Sequence, residues 1–148
     1  MPIDVVARKE ASRLVSAVAR REVANRLRVA LRRMGRARSS ATLVFTDDDE
    51  IRALNREFRG FDRATDVLSF HMQELQSESD PAGDGVFLGD IVISVETARR
   101  RSGRARLDKE LGRLAVHGLC HLFGHDHHRP DQARRMRALE KQLLAATC

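Results

Sequence analysis

The segment H-G-L-C-H-L-F-G-H-D-H, from His117 to His127, holds four of the six histidines in the chain. His117 and His121 are four residues apart, so on a helix their side chains lie on one face, one turn apart, within reach of a single ion. Gly124 offers a helix end because glycine tolerates the left-handed conformation. His127 follows three residues later, where the chain can fold back. The spacing predicts that His117, His121 and His127 bind one zinc ion and leave a fourth position for water, which is typical of a catalytic zinc site.

The same spacing occurs in metzincin proteases, H-E-x-x-H-x-x-G-x-x-H. The residue after the first histidine is Gly118 here, whereas the proteases have a glutamate that serves as general base. Peptide hydrolysis by that mechanism would lack its proton acceptor. A metallopeptidase is therefore the less favoured interpretation, and a hydrolase acting on another bond is preferred.

Other residues in and near this segment allow more than one role. His125 and His128 flank the third predicted ligand and can substitute for it or shuttle protons. Asp126 can orient a ligand imidazole or cap the turn. Cys120 lies about a quarter-turn from the histidine face, which favours a small core residue over a ligand. His71, at the end of a predicted strand, is given no role.

The composition limits the classes of protein that the chain can belong to. Its 148 residues predict one domain, 1–148, with a proper hydrophobic core. The net charge of +6 favours an acidic partner, most commonly nucleic acid, and the low aromatic content of 4% argues against base stacking on a sheet. Two cysteines form no disulfide framework. No signal core or membrane-length apolar run is present, so we expect a cytoplasmic protein without a membrane partner.

The hydrophobic periodicity predicts an α+β fold: a small mixed β-sheet of about four strands packed against helices, with a central buried helix carrying the metal ligands. Asp47 is predicted to cap a helix, with Glu50 completing a capping box. The segment from His71 to Phe87 is expected to be a long polar loop. Strands are predicted at 2–6, 41–46, 67–70 and 88–94, and helices at 10–34, from 47, at 96–100, at 107–123 and from 130.

Arginine is abundant, and two arginines are candidates for a phosphate contact. The first forty residues carry eleven Lys or Arg against three Asp or Glu, which indicates either an RNA footprint or a solvated helix face. Arg59 and Arg63 follow the predicted apolar stripe Ile51, Leu54 and Phe58, in a region expected to be a loop. A guanidinium can bind phosphate through two parallel hydrogen bonds, although composition alone favours surface solvation.

Four segments together resemble the YbeY family of bacterial rRNA-maturation endoribonucleases, which are metal-dependent hydrolases. They are Leu54–Gly60, Thr65–Phe70, Leu88–Ser94 and His117–His127. The resemblance covers about half of the chain and does not include the arginine-rich first forty residues. The sequence departs from the family pattern at Cys120, where Leu is common, and at His71, where Pro is common. Neither departure removes a predicted ligand.

This resemblance implies an α+β fold and one zinc ion held by His117, His121 and His127. It also implies cleavage of single-stranded RNA, maturation of the 3′ end of 16S rRNA, ribosome quality control, and association with the ribosome or its small subunit. The invariant arginine of the family matches Arg59. The predicted catalytic residues are therefore Arg59, His117 and His121.

A second hypothesis comes from the basic N-terminal helix and the missing general base. It describes a ribosome-assembly factor whose zinc is mainly structural. No oligomeric state is predicted.

Overall fold

The computed structural model of the chain describes residues 3–8, 10–72, 85–124 and 129–147. Its strands form one mixed sheet in the order β1-β2-β4-β3, in which β1, β2 and β4 are parallel and β3 is antiparallel to β4. The strands are β1 (Ile3–Ala7), β2 (Ser40–Thr46), β3 (Val67–His71) and β4 (Phe87–Ser94). The helices are α1 (Ala11–Leu14), α2 (Ala17–Arg33), α3 (Asp48–Arg59), α4 (Val95–Ser102), α5 (Leu107–Leu122) and α6 (Pro130–Thr147), with a 3-10 turn at Arg104–Arg106.

The two central strands, β2 and β4, separate two apolar layers. Successive side chains of a strand point to opposite faces of the sheet. Phe45 and Ile91 therefore belong to the main core, which also contains buried residues of all the described helices except α3. Val44 and Val92 face the other way and pack in a smaller cluster with Ile51 of α3. The sheet thus lies between α3 and the remaining helices.

Helix α5 is the central element of the main core. Ten of its sixteen residues are buried, and it contacts β3, β4, α2, α4 and α6. Its helical part ends at Leu122, and Gly124 follows with a φ of 84°, as the sequence predicted for the helix end. The predicted α+β fold, with four strands in a mixed sheet and a buried central helix, is confirmed for the described residues.

The prediction of one continuous helix at 10–34 is wrong, because the structure has two helices there. The chain leaves the helical conformation at Val15, and the Ser16 side chain caps a new helix by accepting a hydrogen bond from the Ala19 backbone N–H at 3.1 Å. Serine favours this cap position because its hydroxyl satisfies a free amide of the first turn. The break changes which residues face inward, and Val18 is 55% exposed although its spacing suggested burial.

Helix α3 begins as predicted, but its inner face differs. Asp47 is the cap residue and accepts from the Glu50 backbone N–H at 2.9 Å. The Glu50 carboxylate instead accepts from the Thr46 hydroxyl. Asn55 is buried, and its side-chain amide donates to the Arg63 carbonyl, whereas Phe58, expected in the apolar stripe, is 47% exposed. The helix therefore places Phe58 and Arg59 at the surface, next to β3.

Strands β3 and β4 include His71 and Phe87, the two ends of the predicted polar loop, and most of that loop lies outside the described residues. In the part of the chain that is described, no helix combines the length and the apolar character needed to cross a membrane.

Candidate metal centre

His117 and His121 face each other on the C-terminal half of α5. Their Nε2 atoms are 3.2 Å apart, and the two rings meet edge to face with their centroids 4.8 Å apart. Both side chains are partly buried, so the pair lies at the edge of the core. The helical spacing of four residues thus brings the two nitrogens together, as the sequence predicted.

The separation of the two nitrogens suits a shared metal ion. Zinc–histidine bonds are about 2.0–2.1 Å long, and tetrahedral coordination places two such nitrogens about 3.3 Å apart. The observed 3.2 Å matches this distance without any movement of the helix. The residues present therefore fit zinc, and the chemistry of the donors, two imidazoles, fits it as well.

A carboxylate holds the other side of the first imidazole. Glu140 of α6 lies within hydrogen-bonding contact of His117 Nδ1 through its Oε1 atom. An ionised carboxylate only accepts, so the proton in this contact is supplied by His117 Nδ1, and the ring places Nε2 next to His121. A carboxylate in this position fixes the tautomer and the ring orientation of histidines that bind metals.

Between the two histidines, Gly118 lets α5 pack closely on the sheet. A Cβ atom at Gly118 would lie 2.7 Å from Ile91 Cγ2 and 3.0 Å from Ser69 Oγ. The Ser69 hydroxyl donates to the Gly118 carbonyl at 2.9 Å. Glycine is needed here for space, and the histidine-bearing turn is fixed directly to strands β3 and β4.

Arg59 reaches the same strand from the end of α3. Its Nη2 atom donates to the Ser69 carbonyl at 2.8 Å, and its guanidinium lies 5.0 Å from the centre of the Phe70 ring. Phe70 in turn contacts Phe58 edge to face, with ring centroids 5.3 Å apart. Ser69 therefore connects Arg59 to the histidine helix, since its carbonyl accepts from Arg59 and its hydroxyl donates to Gly118.

The structure does not group Arg63 with these residues. Its guanidinium lies 5.0 Å from the centre of the Phe61 ring, and its carbonyl accepts from Asn55. Asp90, whose pKa is raised by burial, belongs to the sheet face opposite the histidines, because it neighbours Ile91 in β4 and successive residues alternate. Neither side chain is placed to act together with the histidine pair.

Comparison with known proteins decides the family. A family model described as endoribonuclease YbeY matches residues 6–147. The chain belongs to the YbeY family. A relative from Anaeromyxobacter sp. (strain Fw109-5), named endoribonuclease YbeY, is 47% identical over 132 residues, which are 85% of this chain and 66% of the relative. Another of that name, from Heliobacterium modesticaldum, is 50% identical over 110 residues, covering 70% of this chain and 66% of the relative.

The chain thus spans slightly less than two thirds of the length of these YbeY relatives. The solution structure of TM1509 from Thermotoga maritima has a TM-score of 0.64 to this chain at 22% identity. The match covers 98% of this chain and 88% of that protein. At this identity the likeness establishes the shared fold.

The third predicted ligand, His127, lies outside the described residues of this YbeY chain, as do His125, Asp126 and His128. Within 3–8, 10–72, 85–124 and 129–147, no three His, Cys, Asp or Glu side chains form a group that could hold a metal ion. Cys120 is fully buried, and burial together with the Glu140 carboxylate raises the pKa of its thiol to about 12. It occupies the core, as predicted.

Two residues of the site were not singled out for a role from the sequence. Glu140 lies 23 residues after His117 along the chain, so no local motif includes it. It nevertheless occupies the inner face of α6, four residues after buried Met136 and three before buried Leu143, and a carboxylate among such positions is a recognisable signal. Ser69 lies within a segment typical of the YbeY family, but its two hydrogen bonds appear only when β3 is packed against both α3 and α5.

Proposed function

We propose that this chain is a zinc-dependent endoribonuclease, specific for single-stranded RNA, that matures the 3′ end of 16S rRNA and takes part in ribosome quality control. It acts as a single domain, residues 1–148, in the cytoplasm, and its partners are rRNA and the ribosome or its small subunit. The observation that carries the proposal is the histidine pair, with 3.2 Å between the Nε2 atoms and Glu140 on His117 Nδ1. The name shared by the YbeY relatives supports the nuclease activity.

In this proposal His117, His121 and His127 hold one zinc ion. A zinc with three protein ligands activates water for hydrolysis and polarises a phosphoryl oxygen. Glu140 keeps the proton of His117 on Nδ1, so that Nε2 is available as a ligand. Two of the three ligands lie on one rigid helix, which holds them in place before the metal binds.

Arg59 is proposed to bind the phosphate of the substrate. Ser69 and Phe70 fix the guanidinium beside the strand that touches the histidine helix. A fixed guanidinium can offer parallel hydrogen bonds to two phosphate oxygens and offset the charge that develops on them. The role of Arg59 is therefore to orient the phosphodiester and to stabilise negative charge at it.

A peptidase function is disfavoured by the packing at Gly118. The protease glutamate would have to occupy this position, where even a single Cβ atom meets Ile91 at 2.7 Å. Side chains at 118 point into the sheet, so a carboxylate there could not reach a substrate without separating α5 from β4.

A labelled single-stranded RNA, incubated with protein of measured zinc content, tests the proposal. We expect cleavage by the zinc-loaded chain, loss of cleavage with a chelator, and restoration by added zinc. Arg59→Ala should reduce the rate about 100-fold or more while leaving zinc content unchanged. Arg63→Ala is the matched control and should cleave at the rate of the unaltered protein. Cleavage that survives both the chelator and Arg59→Ala would contradict the proposal.

The contact between Glu140 and His117 favours one second candidate, a ribosome-assembly factor with mainly structural zinc. Because Glu140 belongs to α6, a metal on His117 would help to hold the last helix against α5. That role predicts that zinc removal lowers the melting temperature strongly, that RNA is not cleaved by the zinc-loaded protein, and that Arg59→Ala leaves rRNA processing intact. Zinc-dependent cleavage with a small change in melting temperature would exclude it.

A further inference from the structure

A basic cavity of about 610 Å³ lies away from the histidines, between α2, α4, the 3-10 turn, α5 and α6. Among the described residues that line it, Glu110 is the one carboxylate. The lining cations are Arg26, Arg101, Arg106, Lys109 and Arg113. Five cations and one anion leave an excess positive charge inside a concave surface, where the potential is stronger than on a flat one.

Only part of this charge is balanced within the described part of the chain. Arg113 pairs with Glu110, and Arg101 pairs with Asp66 at 2.8 Å. Arg26, Arg106 and Lys109 form no ion pair with any residue that the structure describes. Like charges that line one cavity repel one another, so an anion bound among them would be stabilised.

Gly112, a glycine of α5, leaves space for the Arg26 side chain. Gly112 lies in the interior of α5, where glycine costs about 1 kcal/mol relative to alanine. A Cβ atom at Gly112 would lie 3.0 Å from Arg26 Cδ and 3.2 Å from Arg26 Nε. The missing side chain therefore leaves room for Arg26 to lie across α5 toward the cavity.

The cavity and the histidine pair are aligned along the same helix. Lys109, Arg113, His117 and His121 follow one another at intervals of four residues, which lie on neighbouring turns of a helix. At 1.5 Å per residue, Arg113 lies about 6 Å and Lys109 about 12 Å before His117 along the axis. On α6, Leu144 lines the cavity one turn after Glu140, which contacts His117. One extended chain of phosphates can reach both places.

We propose that this basic cavity binds the phosphodiester backbone of single-stranded RNA upstream or downstream of the bond held at the histidines. The inference rests on the proposed function, because it takes RNA as the substrate. None of the cavity-lining residues that the structure describes is aromatic, so binding there is electrostatic and independent of base sequence. The cavity extends the substrate site beyond Arg59 and holds the strand while the scissile phosphate is positioned.

The test uses the full-length chain with a fluorescein-labelled 12-nucleotide single-stranded RNA, in the presence of chelator so that no cleavage occurs. The variant Arg106→Gln/Lys109→Gln removes two charges from the cavity. The control Arg134→Gln/Arg135→Gln removes two exposed charges from α6 outside it. Anisotropy titrations over a range of salt concentrations give the slope of log Kd against log salt.

We expect the cavity variant to reduce that slope by about 1.4, since each phosphate contact on a single strand contributes about 0.7. If the variant and the unaltered protein bind equally at 1 M salt, this difference in slope makes the affinity of the variant about 25-fold weaker at 0.1 M salt. The control should bind like the unaltered protein. As a second variant, Gly112→Ala keeps every charge but displaces Arg26, and it should also weaken binding.

Equal slopes for the cavity variant and the control would overturn the proposal. So would a labelled polyglutamate peptide that binds more tightly than RNA and loses binding in the cavity variant, since this would assign the cavity to an acidic protein. Binding is measured with chelator present, so it does not depend on cleavage. If the RNA binds at the cavity but is not cut when zinc is restored, the nuclease proposal fails and the cavity proposal stands.

Discussion

Replacing Gly118 by alanine should destabilise the protein, although alanine is the better helix former. The new Cβ would lie 2.7 Å from Ile91 Cγ2, about 1 Å closer than carbon atoms pack at their optimal separation. Ile91 is fully buried and Ser69 is bonded to the Gly118 carbonyl, so neither neighbour can move aside freely. The new methyl group would therefore be blocked by the buried Ile91 side chain and by Ser69 of strand β3.

The expected magnitude follows from two opposing terms. Overpacking a core site costs about 1–3 kcal/mol, and the change from glycine to alanine inside a helix returns about 1 kcal/mol. The net loss should be about 1 kcal/mol, and at most about 2 kcal/mol, in the free energy of unfolding. For a chain of this size that corresponds to a melting temperature roughly 5 °C lower.

Urea denaturation of the metal-free protein measures this loss, since chelator removes any contribution of bound zinc. Gly112→Ala is the matched control because it makes the same substitution in the same helix against the flexible Arg26 side chain. It should leave stability unchanged or raise it by up to about 1 kcal/mol. A Gly118→Ala protein as stable as the Gly112→Ala protein would refute the packing argument.

Three other predictions follow from named contacts. Glu140→Gln should weaken zinc binding about 10- to 100-fold in a competition titration with a chromogenic chelator, and an unchanged affinity would remove Glu140 from the site. Asp48 is partly buried, which raises its pKa, but hydrogen bonds from Ser94, Thr97 and Arg100 lower it below its ordinary value of 3.8. Its stabilisation is therefore present above pH 3.8 and lost as the pH falls below it, so Asp48→Asn should cost about 1–2 kcal/mol at pH 7 and progressively less as the pH falls below 3.8 in denaturation curves, and a pH-independent difference would contradict this. In a Cys148→Ser background, buried Cys120 should resist a thiol reagent at pH 8 until the protein unfolds, and rapid labelling of the native protein would show that the core is open.

The sequence predicted the architecture well where local pattern and burial agree. Helix α5 carries a clear pattern of buried apolar residues and strand β4 is mostly apolar, and the predicted boundaries of both agree with the structure to within one residue. The order of strands could not be read from the sequence, because the pairing of β2 with β4 joins residues more than forty positions apart. Val18 and Phe58 show the limit of periodicity: one serine cap shifted the buried face of α2, and the end of α3 extends past the edge of the core.

The histidine pair could be predicted because both residues lie on one helix and their spacing alone fixes their distance. Glu140, Ser69 and Arg26 depend on contacts between different elements, and spacing along the chain carries little information about those. The role of Gly118 was visible only as the absence of a protease glutamate. Its structural reason, the contact with Ile91, required the packed sheet.

The central claim is that His117, His121 and His127 together bind a zinc ion. X-ray absorption at the zinc edge, on full-length protein containing one zinc per chain, tests it most directly. We predict three imidazole nitrogens and one oxygen at about 2.0–2.1 Å, with no sulfur scatterer, and loss of bound zinc in His117→Ala. A sulfur at about 2.3 Å, or a full zinc complement retained after His117→Ala, would contradict the account.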